Sequence, residues 1–284
     1  MSSSASGSVA ERLRVRGLAP KKRFGQNFLV DEEASRRIAE AAAAPGGGTV
    51  LEIGAGLGAL TRPLLARAGK VVAVERDRDL APILREDFQA PVEEGRLEIL
   101  EADAAQVDWL AALASAGGAR PWVIAGNLPY QITGRLLERA TEVADDIDRA
   151  VFMVQLEVAE RLLAPPGGDA YGALTVFVRA AFEVKRLLTA RAGAFYPRPA
   201  VDSAVVVLTS IRPRRANETE AFRLAVRAAF GARRKTLRNA WRGIYGWSAE
   251  ELASHAQEAG ISLDVRGETL DVEDFARLAA RYSR

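Results

Sequence analysis

Short apolar runs alternate with stretches of helical periodicity through the first two thirds of the chain. Thr49–Gly54, Lys70–Glu75, Arg96–Glu101, Trp122–Gly126 and Arg149–Val154 read as buried strands, each ending in glycine or polar residues. Between them, the spacing predicts helices from an Asp31 N-cap to about Ala44, over Arg78–Phe88 and over Thr133–Ala144. Strand–helix alternation with short connections is the pattern of a doubly wound parallel sheet. Such sheets hold ligands at the carboxyl ends of their strands. The residues there are Gly54 to Gly58, Glu75, Asp103 and Asn127, so one cleft can collect them.

The pattern changes after Val154. Pro165-Pro166-Gly167-Gly168 reads as a loop and Tyr171–Ala181 as a helix. Two β-rich segments follow, around Phe182–Leu188 and Ser203–Ile211. Residues 212–284 lack strand patterns and read as helices, with Ser248 and Glu251 forming a capping box. Three regions result. Residues 1–20 are a disordered basic tail, 21–211 the α/β domain, and 212–284 a smaller all-helical C-terminal domain.

Charge sharpens this division. The net charge is only +2, yet Arg12 to Arg23 holds six basic residues and no acid. From Arg212 to Arg242, ten basic residues stand against Glu218 and Glu220. The rest of the chain is therefore acidic, and the two basic segments suit a polyanion. On one continuous helix over Phe222–Arg242, the residues Arg223, Arg227, Arg234, Lys235, Arg238 and Arg242 would share an arc of roughly 120°. Arg233 would fall on the apolar side, and Gly231 is a point where the stretch can break. Such a stripe can track a phosphate backbone.

Composition removes several chemistries. With no cysteine, disulfides, thiolate catalysis and Cys-based metal sites are excluded. The single His255 rules out a multi-histidine metal site within one chain, and no metal is expected. No apolar run approaches the roughly 18 residues of a membrane span. A cytoplasmic monomer is the expectation.

The candidate chemistry lies in Asn127-Leu128-Pro129-Tyr130. An Asn amide oxygen accepts a hydrogen bond, and Pro129 restricts Leu128 and so aims the carbonyl between them. Tyr130 offers a flat face to a planar ring. This set suits an exocyclic amine on a base; an ordinary strand-to-helix turn with a structural proline fits equally well. Phe195, on a loop stiffened by Pro197 and Pro199, would either face Tyr130 across a flipped base or plug the core. Gly54-x-Gly56-x-x-Ala59 also meets the loose dinucleotide fingerprint, with Glu75 where a ribose-binding acid would stand. A dehydrogenase is thereby left open, although no His or Cys lies near the later strands.

The chain resembles the rRNA adenine dimethyltransferase family of the small-subunit type. The resemblance rests on Gly25-Gln26-Asn27-Phe28-Leu29, Leu51 to Gly58, Asn127 to Tyr130, Phe195 to Val205, and Arg233-Arg234-Lys235-Thr236-Leu237-Arg238-Asn239, in that order. It implies a Rossmann-like class I methyltransferase sheet and S-adenosyl-L-methionine as methyl donor. Gln26, Asn27, Leu29, Gly54, Gly56, Glu75, Asp103 and Asn127 would then line the donor pocket. Glu75 would hold the ribose hydroxyls and Asp103 would contact the adenine. Asn127, Leu128, Pro129, Tyr130 and Phe195 would serve catalysis, and Arg223, Arg227, Arg234, Lys235 and Arg238 would bind RNA. The implied partner is small-subunit rRNA or a pre-assembled small ribosomal subunit, dimethylated at two adjacent adenosines in a hairpin near the 3′ end. One departure is Leu156, in Gln155-Leu156-Glu157, where the family usually has Lys. Rivals are the large-subunit rRNA methylases of the antibiotic-resistance type and a ribosome-assembly or transcription factor on this scaffold.

Overall fold

The computed structural model describes residues 7–43, 46–232 and 234–282. It divides into two compact units, one of residues 1–159 with 185–209 and one of 160–184 with 210–284. The helical unit thus starts earlier in the chain than the change at residue 212 suggests. The reason is packing: Tyr171, Val176 and Phe177 share a core with Phe222, Val226, Trp241 and Phe275.

Nine strands occur among the described residues: β1 (Phe28–Leu29), β2 (Thr49–Ile53), β3 (Lys70–Glu75), β4 (Leu97–Glu101), β5 (Trp122–Asn127), β6 (Arg149–Gln155), β7 (Phe182–Ala190), β8 (Phe195–Tyr196) and β9 (Ser203–Ser210). Seven form one sheet, in the order β4-β3-β2-β5-β6-β9-β7. β2 to β6 pair in parallel, as the apolar runs predict, and β9 runs antiparallel to β6. The strand order reverses between β2 and β5, with β3 and β4 on one side and β6 on the other. That reversal opens the crevice in which open α/β sheets bind ligands. Val50, Val71, Ala73, Val123, Ala125 and Val151 are buried with Ile38, Leu64 and Leu84 from the covering helices.

Part of the expected disordered tail is structured. Residues 1–6 lie outside the described residues, but Val9–Val15 is a helix whose Ser8 N-cap accepts from the Glu11 N–H at 3.2 Å. Its Leu13, 2 % exposed, packs with Phe28, Leu57, Leu80 and Ile83. Arg12 pairs with Asp87, Arg16 with Glu86, and Lys21 with Asp77 and Asp79. Half of the first basic stretch is therefore consumed in tying the segment to the sheet unit.

The expected helix over Phe222–Arg242 is two helices, Glu220–Gly231 and Leu237–Ala240. The backbone leaves the helix because the Leu237 and Arg238 N–H groups donate to the Val265 and Leu263 carbonyls, at 2.8 and 2.9 Å. Leu237 and Trp241 are buried by this turn, and the Trp241 indole donates to the Ala225 carbonyl at 2.9 Å. Arg233 lies outside the described residues, as does Ala44 at the expected end of an earlier helix. The capping box of Ser248 and Glu251 forms as expected. No helix among the described residues is long and apolar enough to cross a membrane.

Candidate active site

One cavity runs along the carboxyl ends of β2, β3, β4 and β5. Gln26, Asn27, Leu29, Gly54, Gly56, Glu75, Asp103, Asn127, Leu128, Pro129 and Tyr130 all line it. Residues up to 104 positions apart, from Gln26 to Tyr130, are thus assembled in one place, as the strand ends anticipate.

The floor is built by Glu75. Its Oε2 accepts from the Gly56 N–H at 2.7 Å and its Oε1 from the Asp77 N–H at 2.7 Å. The glycine turn after β2 is therefore fixed against the end of β3. Gly56 favours glycine on two counts: its φ is 59°, and a Cβ would stand 3.2 Å from the Phe28 ring, which would have to give by a few tenths of an ångström. Burial raises the Glu75 carboxyl above its ordinary range, against the pull of these backbone donors. Each carboxylate oxygen keeps a further lone pair for another hydroxyl donor.

Glu52 also lines the cavity, and the sequence reading passed over it. The signal was available, since an acid inside the apolar run Val50-Leu51-Glu52-Ile53 is costly to bury. Glu52 is 1 % exposed, and the Thr61 hydroxyl donates to it at 2.6 Å. Burial pushes its carboxyl up to about 8, with the nearby Glu75 adding to the rise. In the folded protein it therefore keeps its proton well above the pH at which it ionises in the unfolded chain. Its stability contribution is complete below the ordinary carboxylate range and is lost as pH rises towards 8. Glu52→Gln keeps an acceptor for Thr61 and removes the titration. The melting temperature of this variant relative to wild type is expected to climb by roughly 5 °C or more between pH 5 and 8 and then level off. A constant difference in differential scanning fluorimetry across that range would contradict the protonated state.

The wall opposite β2 is the segment before β1. Gln26 donates from Nε2 to Asp77 at 2.7 Å and accepts the Lys21 N–H at 2.7 Å. Burial pushes the Asp77 carboxyl up, but Lys21, the Asp79 N–H and Gln26 outweigh it and hold it below its usual value. Asp103, past the end of β4, accepts the Ala105 N–H at 2.9 Å and stands 3.4 Å from Arg76. Arg76 and Phe24 are further lining residues that the sequence reading missed, with the Arg76 guanidinium 5.2 Å from the Phe24 ring centre.

Asn127 ends β5, in register with Met153 of β6. Its Nδ2 donates to the Asn27 carbonyl at 2.9 Å. A carbonyl only accepts, so the orientation of the amide is forced and Oδ1 is left as an acceptor. The next residue is held through its own N–H, which Leu128 donates to the Met153 carbonyl at 3.0 Å. The Pro129 carbonyl accepts the Thr133 hydroxyl at 3.0 Å, which anchors the turn. Tyr130 shares a 2.9 Å hydrogen bond with Ser203, and burial raises its phenol.

Phe195 takes the core position, one of the two that the sequence left open. It pairs with Leu29 across β1 and β8, is 4 % exposed and belongs to the hydrophobic core. It is not among the described residues that line the cavity. The alternation of a strand sends its neighbour Tyr196 outwards instead, 38 % exposed.

The five cationic residues expected to bind RNA do not form one stripe. Arg223 pairs with Glu218 at 2.9 Å, and both Arg223 and Arg227 stand over the Phe177 ring, at 5.4 and 6.0 Å. Arg234 and Lys235 are exposed in the turn between the two helices. Arg238 pairs with Asp264 at 2.9 Å.

The parallel sheet, its reversal of strand order and the cavity at that reversal define a class I methyltransferase fold. A dimethyladenosine transferase from Plasmodium falciparum superposes with a TM-score of 0.76 at 25% identity, covering 88% of this chain and 95% of that one. The 23S rRNA methyltransferase ErmE superposes with a TM-score of 0.66 at 27% identity, covering 90% and 99%. The family model described as ribosomal RNA adenine dimethylase matches residues 17–283, and the chain belongs to that family. It is 40% identical to the ribosomal RNA small subunit methyltransferase A of Geobacter metallireducens, over 94% of this chain and 97% of that protein. It is 44% identical to the protein of the same name from Pelotomaculum thermopropionicum, over 96% and 95%.

Proposed function

We propose that the protein dimethylates the exocyclic amines of two adjacent adenosines in a hairpin near the 3′ end of small-subunit (16S) rRNA. S-adenosyl-L-methionine is the donor, and the protein acts as a cytoplasmic monomer in ribosome biogenesis. The observation that carries this reading is the forced orientation of the Asn127 amide, which sets an acceptor at the end of β5 beside the cavity. Identities of 40% and 44% to small-subunit enzymes, against 27% to the large-subunit one, favour the small subunit.

The cavity fits the donor. The glycine turn lets the backbone approach closely, and Glu75 has lone pairs for the ribose hydroxyls. Asp103 would accept from the donor's adenine amine, and Gln26, Asn27 and Leu29 would form the opposite wall. When bound, the donor would supply a methyl group from a positively charged sulfur, which would keep the C–S bonding pair and leave as a neutral thioether.

Adenine's exocyclic amine is a poor nucleophile because its lone pair is delocalised into the ring. Asn127 Oδ1 and the Leu128 carbonyl each accept one of its hydrogens. The nitrogen then turns towards tetrahedral geometry and its lone pair is aimed at the methyl carbon. Holding two reactants in line supplies much of the rate, and no strong base is needed. The surplus proton leaves to water once the nitrogen is cationic. In the second round the amine has one hydrogen left, so only one of the two bonds forms. Tyr130 stacks on the extruded base.

Incubation with labelled donor and undermethylated small subunits, followed by mapping of modified bases, tests the assignment. Label on the large subunit alone would refute it. RNA contact by the helical unit is tested through Arg234 and Lys235, two exposed cations of the turn. Reversing both to Glu is expected to flatten the slope of log affinity against log salt by about 1.5. An unchanged slope would make them ordinary solvated residues.

A further inference from the structure

The loop from Phe195 to Ser203 is tied at both ends to the site. At its start, β8 pairs with β1, whose Phe28 and Leu29 line the donor cavity. At its end, Ser203 shares a hydrogen bond with Tyr130. Near the second tie, the Asp202 carboxylate accepts the Ala192 N–H at 2.8 Å, which fastens the loop to the turn just before β8. Prolines at 197 and 199 stiffen it further. Ordering a bulky aromatic ring in solvent on so rigid a loop serves no core, yet Tyr196 stands there 38 % exposed and Val201 45 %. The Tyr196 ring lines a surface groove with Leu18, Pro20 and Arg14 of the N-terminal segment.

The charge of this surface is set by what the fold has left over. Arg12, Arg16 and Lys21 are spent on acids of the sheet unit, while Arg14, which lines the groove, and Arg198, two residues beyond Tyr196, are exposed. Among the described residues, Glu11 is the one acid lining the groove. A flat exposed ring that shares a groove with the Arg14 guanidinium matches single-stranded RNA, which offers base faces at intervals along a phosphate backbone.

We infer that Tyr196 is a stacking platform for an unpaired nucleotide flanking the target adenosine, with Arg14 and Arg198 holding the neighbouring phosphates. This rests on the rRNA reading above and adds to it a determinant of which adenosine reaches Asn127. Phe195 positions the platform from inside the core, and Tyr196 makes the contact.

The test uses the full chain and the rRNA hairpin with 2-aminopurine placed at each flanking position in turn. Stacking on a tyrosine ring quenches this base. Wild type, Tyr196→Phe and Tyr196→Trp are expected to quench one position. Tyr196→Ala is expected to lose that quenching and to bind the hairpin about tenfold more weakly. Donor affinity, measured by calorimetry, stays unchanged in every variant and reports that the cavity is intact. Wild-type hairpin affinity in Tyr196→Ala would overturn the inference, and so would a Tyr196→Phe variant as weak as Tyr196→Ala. If small subunits accept no methyl group while the quenching still depends on the ring, the reaction is misassigned and the platform stands. If methylation occurs and the quenching is indifferent to Tyr196, only the platform fails.

Discussion

Asn127→Ala is expected to lower the rate of methyl transfer by at least about a hundredfold, the scale of removing one preorganised hydrogen-bonding group from an active site. The side chain has two faces with separate tasks. Its Nδ2 is bound to the Asn27 carbonyl, and this bond aims Oδ1. Alanine removes the acceptor for the amine and, at the same time, the tie between β5 and the segment before β1. Donor affinity should therefore fall too, but by much less, because Glu75 and the glycine turn are untouched. Asn127→Asp separates the two tasks. It keeps an acceptor for the amine but sets a carboxylate against the Asn27 carbonyl, so the side chain loses its fixed direction. Its rate should lie between those of wild type and alanine. Single-turnover transfer of tritiated methyl, with donor binding measured separately, resolves the two effects. Near-normal turnover by the alanine variant would sink the proposed role of Asn127.

The sheet and the cavity were legible in the sequence for a simple reason. Buried parallel strands are apolar runs, and in an open sheet their carboxyl ends are the ligand-binding edge. Glu75, Asp103 and Asn127 could therefore be placed in one cleft before any contact was known. Contacts between side chains distant in sequence were not legible. Lys21 and Asp77 are 56 positions apart, and nothing in either neighbourhood marks the pair. The inward turn of Phe195 was left open for another reason: β8 is two residues long, too short for alternation to decide which side chain faces the core. The broken basic helix illustrates a tertiary override. Gly231 marked a possible break, but the break is enforced by carbonyls of Leu263 and Val265 that take the N–H groups of the next segment. A stripe counted on an ideal helix therefore scattered into a turn, an ion pair and two guanidinium groups over one ring.

Glu75→Gln should behave almost as badly as Glu75→Ala, although the exchange looks conservative. Both carboxylate oxygens face backbone donors, Gly56 N–H and Asp77 N–H, each at 2.7 Å. An amide has only one oxygen, so its NH₂ must confront one of these N–H groups. A buried donor left without an acceptor costs about 1–3 kcal/mol. The free protein relieves that clash by letting the glycine turn relax, and binding must then restore it. The donor's dissociation constant is expected to rise at least about 30-fold in Gln, which corresponds to roughly 2 kcal/mol. Glu75→Ala removes the clash but also the floor and the acceptors for the ribose hydroxyls, and should bind no better. Glu75→Asp keeps two oxygens on a shorter stem; it can reach one of the two N–H groups and should lie between. Calorimetric titration of the donor into each variant gives the ranking directly. Wild-type affinity in Glu75→Gln would mean that Gly56 and Asp77 do not depend on the carboxylate, and that the turn after β2 is held open by its glycine backbone alone.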